Sequence, residues 1–157
     1  MQKSSKNDYL SIDYFLDDSL IDRVAKALHI RNRIGKIVKN LEDISGTSQM
    51  KIPVTYPSGS KYLYSIFSSE DVYAVLREDW EGVIFQILLP QECLKKMLAL
   101  PREEEDFFAY KVEWQEFMSE IEAKAQKYIK FAKENGLNYS GIGTAIIPDA
   151  VREKLPE

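Results

Sequence analysis

Large apolar residues return at alternating steps of three and four between Phe107 and Tyr128: Phe107, Tyr110, Trp114, Phe117, Ile121, Ala125, Tyr128. Only an α-helix puts such a series on one stripe. The spacing predicts a long amphipathic helix from Glu103 to Asn135. Its charges follow the helix dipole, with Glu103, Glu104, Glu105 and Asp106 at the start and Lys124, Lys127, Lys130 and Lys133 toward the end. Asn135-Gly136 is a stop signal. A stripe with five large aromatics needs an apolar partner surface, so the rest of the chain is expected to fold onto it.

Nearer the start, residues 1–8 are polar and read as a disordered tail, with residues 9–157 as one domain. Leu10, Ile12, Phe15 and Leu16 form a short apolar group ahead of a first helix. Leu20, Val24, Leu28, Ile34, Val38 and Leu41 then keep a mostly helical spacing, predicting a helix from Ser19 to Asp43. Gly35 interrupts it, so two helices broken near Arg31 to Gly35 are an open alternative. Its polar side carries Arg23, Lys26, Arg31, Arg33, Lys36 and Lys39, the most basic surface in the chain.

The middle changes period. Ile52, Val54 and Tyr56 alternate, Pro57-Ser-Gly-Ser60 has turn chemistry, and Tyr62 to Phe67 is rich in strand formers, which predicts a hairpin. Pro53 lacks an N–H and marks the first strand as an edge. If Pro57 to Ser60 is the whole loop, Val54 pairs with Leu63, and Tyr62 and Tyr64 stand on the outer face beside Thr55 and Pro53. Ser68 to Asp71 fits a helix capping box or a turn into a third strand, and the symmetry of Tyr73–Leu76, Glu78–Gly82 and Val83–Leu89 favours strand, turn, strand. Val83–Leu89, apolar on both faces except Gln86, is expected to be central.

Pro90 opens a short helix, Gln91 to Leu100, with Cys93, Leu94, Met97 and Leu98 toward the core. Leu137 to Thr144 reads as a glycine-containing loop, Ala145–Ile147 as a short edge strand, and Pro148 as the start of a last helical turn. The expected fold is α+β: a three- or four-stranded, mainly antiparallel sheet packed against the long C-terminal amphipathic helix and the basic N-terminal helix.

Composition narrows the chemistry. One cysteine excludes an internal disulfide framework, and one histidine excludes the usual zinc clusters. No stretch reaches the ~20 apolar residues of a membrane span, and the N-terminus has no apolar signal core, so a cytoplasmic protein without membrane association is expected. His29 has no nucleophile nearby in sequence, and Gly141-Ile-Gly143 lacks the partners of a phosphate loop. No catalytic residue, metal site or cofactor is predicted. Glu78, Asp79 and Glu81 read as a solvated hairpin tip.

Gly59-Ser60, followed by Asp71-Val72-Tyr73, resembles the polymerase-β-type nucleotidyltransferase pattern. In that pattern a Gly-Ser pair precedes a strand with two carboxylates one residue apart, and a neighbouring strand supplies a third. Here Tyr73 and Gln86 stand where two of the three would be. The resemblance therefore implies a relative without metal-dependent transfer.

These features favour a non-enzymatic macromolecule-binding protein, an adaptor or inhibitor, acting through a tyrosine-bearing sheet edge at Tyr56, Tyr62 and Tyr64. A protein partner or a homo-oligomer is the expected assembly. The alternative is nucleic-acid binding or processing through Arg23, Lys26, Arg31, Arg33, Lys36 and Lys39.

Overall fold

The computed structural model describes residues 8–16, 35–44, 50–69, 72–78, 83–100 and 111–155. They form an α+β fold on one six-stranded antiparallel sheet. The strands are β1 (Asp8–Phe15), β2 (Met50–Thr55), β3 (Lys61–Ser69), β4 (Val72–Glu78), β5 (Val83–Leu89) and β6 (Asn138–Ile146). Helix α1 covers residues 35–44; α2 (Gln91–Ala99), α3 (Lys111–Glu134) and α4 (Asp149–Arg152) follow. Spatial order is β2-β3-β4-β5-β1-β6. The expected strands from Lys51 to Leu89 are present as the β2–β5 meander, and two more, β1 and β6, extend the sheet beyond β5.

Those two additions correct the sequence reading. The group Leu10, Ile12, Phe15 and Leu16 is not a cap on a helix: residues 8–15 form β1, inserted between β5 and β6. β1 starts at Asp8, inside the span read as tail. Leu137–Thr144 is not a loop either, because pairing with β1 makes Asn138–Ile146 a nine-residue strand. Both errors have one cause: the partners lie about seventy residues away or more, and a strand gains its stability from pairing more than from propensity.

Period-two alternation sends side chains to opposite faces. Leu10, Ile12 and Tyr14 of β1, Ala74 and Leu76 of β4, and Phe85, Ile87 and Leu89 of β5 share one face with Ile37 and Leu41 of α1, Cys93 and Leu94 of α2, and Phe117, Ile121, Ala125, Tyr128 and Phe131 of α3. Phe85 is the hub, its ring 5.3 Å from Phe131 and 6.3 Å from Tyr128. The apolar stripe of α3 is core as expected, although Trp114 is only partly buried. Phe107 and Tyr110 lie outside the described residues. The opposite face packs Tyr9, Ile52, Tyr64, Ile66, Val75 and Leu88 under Ile147, Val151 and Leu155.

α3 stops where predicted. Gly136 adopts φ 70°, and the Leu137 N–H donates to the Ala132 carbonyl at 2.9 Å, closing the last turn and reversing the chain into β6. The Asn40 amide donates to the Asn135 side-chain oxygen at 2.8 Å, tying α1 to this corner. Lys96 of α2 pairs with Glu120 of α3 at 2.8 Å. Among the described residues, no helix is long and apolar enough to cross a membrane.

Candidate docking site

The β2–β3 hairpin was the expected binding edge, and its register differs by one residue from the four-residue-loop expectation. Thr55 pairs with Lys61, Val54 with Tyr62 and Ile52 with Tyr64. The loop is therefore Tyr56–Ser60, closed by the Tyr56 N–H on the Ser60 carbonyl at 2.9 Å and the Gly59 N–H on the Tyr56 carbonyl at 2.8 Å, with Gly59 at φ 91°. A one-residue change of register exchanges the faces of every side chain. Tyr62 and Tyr64 accordingly share a face with Ile52 and Val54, not with Pro53 and Thr55.

The consequence is that Tyr64 is 2% exposed, beneath the C-terminal segment. Its hydroxyl lies 2.5 Å from that of Tyr56, and burial, reinforced by Tyr56, pushes its pKa far up. Tyr62 meets Tyr56 edge-on at 5.3 Å and carries the Arg77 guanidinium 4.8 Å from its ring centre. These three tyrosines are brought together, but as an interlocked structural group. Tyr64 is not an exposed anchor.

Of the basic helix, Lys36 and Lys39 are exposed on α1, beside exposed Glu42 and Asp43. Arg23, Lys26, Arg31 and Arg33 lie outside the described residues, as do His29, Asp71, Asp79 and Glu81. Lys124, Lys127 and Lys130 of α3 line a shallow hollow of about 390 Å³ with Val72, a basic cluster that the sequence reading took as helix-dipole pairing. Gly59 and Ser60 sit in the β2–β3 loop, while Gln86 lies on the sheet face opposite α3 and donates to Asp13 at 3.3 Å. Cys93 is 1% exposed, and burial pushes its thiol pKa up, the opposite of the shift that activates a thiolate. Among the described residues, no three His, Cys, Asp or Glu side chains converge as metal ligands.

The other margin of the sheet is different. β6 reads Asn-Tyr-Ser-Gly-Ile-Gly-Thr-Ala-Ile, without a charge or a proline, and among the described residues only β1 pairs with it. Ile146 is 77% exposed and Tyr139 57%. An irregularity between Asp13 and Tyr14 leaves Ser140 as an extra residue, so Tyr139 pairs with Tyr14 on the helix-bearing face. The two rings meet edge-on at 5.7 Å.

Between this margin and α3 runs a groove of about 710 Å³. Its floor is Ile12, Tyr14 and Ile142, its helix wall includes Met118 and Ile129, and Glu122, Gln126 and Lys133 add polar groups. The groove exists because α3 packs over β4 and β5, where its large stripe residues meet Phe85, and leaves β1 and β6 to the side. Burial, then the neighbouring Tyr139 and the Glu122 charge, raise the Tyr14 pKa. Sequence reasoning missed this site. Its signal was the alternation Ile142, Thr144, Ile146, obscured by Gly141 and Gly143.

Comparison with protein-family models, with curated proteins and with solved structures finds no match to this chain.

Proposed function

We propose that this chain is a non-enzymatic macromolecule-binding protein that takes up an extended protein segment along β6, with alternate side chains of the segment entering the groove beside α3. The observation that carries the reading is the adjacency of an uncharged, proline-free, nine-residue edge strand and an apolar groove with a few polar groups. Strand addition works through this combination: backbone hydrogen bonds supply affinity, and a pocket on one side of the strand selects every second residue. Tyr139 stands where such a segment would run, with a large exposed ring and a hydroxyl that can hydrogen-bond. The tyrosine-bearing edge is thus β6 in place of β2.

A panel of random extended peptides panned against the chain tests the reading. Retained peptides should slow amide exchange along β6 and shift the signals of Tyr139 and Ile142. Retention of no peptide, or protection confined to β2, overturns it.

A further inference from the structure

We propose that the strand added to β6 is β6 of a second copy, paired antiparallel about a two-fold axis at Thr144. This rests on the reading of β6 as a docking edge and names its occupant. The extra residue at Ser140 limits regular pairing to Gly141–Ile146. Within that stretch Ile142, Thr144 and Ile146 share the face of Ile12, Leu10 and Asp8, while Gly141, Gly143 and Ala145 occupy the other. One face is β-branched and the other is small throughout.

That division makes the edge self-complementary. Antiparallel pairing centred on Thr144 sets Ile142 against Ile146 of the second copy, Thr144 against Thr144, and Gly143 against Ala145. Such β-branched cross-strand pairs are favourable, and the small residues opposite leave no clash. Ile146, 77% exposed in one copy, is covered. A two-fold contact requires each patch to fit itself, which this register satisfies.

Charge points the same way. Each copy carries a net charge of −4, so two copies repel generally, and β6 offers a stretch where no side-chain charge opposes approach. β2 cannot serve equally, because Pro53 lacks an N–H and Lys51 would bring a like charge to the contact. A pairing about five residues long is smaller than the ~1,200–2,000 Å² interfaces of stable complexes, so a concentration-dependent monomer–dimer equilibrium is expected. In the dimer the two grooves lie side by side on a continuous twelve-stranded sheet. Counting five strand spacings puts the two β5 strands about 24 Å apart, with the α3 helices, which lie over β4 and β5, at least that far from each other.

Sedimentation and light scattering across roughly 10 μM to 1 mM, a range chosen to bracket weak association, should show the mass rising from 18.1 kDa toward twice that value. Thr144→Lys sets two like charges face to face at the axis and should lower association at least tenfold with an unchanged circular dichroism spectrum. Under mild oxidation Thr144→Cys should cross-link into dimers, whereas Thr55→Cys on β2 should not. A mass that stays monomeric with no Thr144→Cys cross-link overturns the proposal, and so does a dimer indifferent to Thr144→Lys. If the chain is monomeric but library peptides still protect β6, the docking reading stands and only the second copy is wrong. If peptides fail as well, both fall.

Discussion

The two margins of the sheet are built on opposite lines. β2 carries Lys51 and Pro53 and packs Ile52 into a core sealed by the C-terminal segment. β6 carries no charge and no proline and leaves Tyr139 and Ile146 in solvent. Lysine and proline on an edge strand are devices against unwanted pairing. Their presence on one margin and absence from the other teaches that edge position alone does not mark a docking surface. At the tyrosine-rich margin the C-terminal segment covers one face, whereas the glycine-containing margin leaves Tyr139 and Ile146 exposed.

The contrast breaks first at Tyr64. If β2 is a structural margin, Tyr64→Ala removes a buried ring and takes a hydrogen-bond partner from Tyr56 and Arg77, so it should cost about 3–5 kcal/mol in chemical denaturation, as large-to-small core changes do. A loss below ~1 kcal/mol would return Tyr64 to the surface role expected from sequence. The β6 counterpart should behave in reverse. Tyr139→Ala loses an edge-to-face contact with Tyr14, worth about 0.5–1.5 kcal/mol, yet should weaken uptake of peptides at β6 severalfold. Equal binding by the variant would separate the groove from the docking edge.

A gain-of-function change sharpens the comparison further. Lys51→Val with Pro53→Val removes both protective devices from β2 and should create a second mode of self-association, read by light scattering. No change in association would mean that the β2 edge is guarded by something else.

The smallest effect concerns Glu78, beside the β2–β3 margin. Burial raises its carboxyl pKa, with Lys51 pulling the other way. A raised carboxyl favours the protonated fold, so its contribution is complete below the ordinary value of 4.5 and is lost as pH rises through the raised value. Glu78→Gln should therefore be slightly more stable than the native chain at neutral pH, with the advantage vanishing below pH 4.5. An advantage that grows at low pH would contradict the assignment.

Much of this molecule is set by local sequence. The three-and-four spacing of Phe117, Ile121, Ala125 and Tyr128 determines α3 and its buried stripe, and Asn135-Gly136 determines its end, because helix contacts and caps are made within one or two turns. The alternating strands from Ile52 to Leu89 and the proline-opened α2 are likewise local. Tertiary structure decided the rest. β1 and β6 become strands only by finding each other and β5 across most of the chain, and Gly141 and Gly143 could pass for a loop until β1 lay beside them. The hairpin register was decided by the five-residue loop at Gly59 together with the C-terminal segment, which buries Tyr64 from more than eighty residues away. Side-chain period fixes which residues share a face, but the partner that covers that face belongs to distant chain. That is why α2, α3 and the β2–β5 meander could be read in one dimension, whereas β1, the open edge and its groove exist only in three.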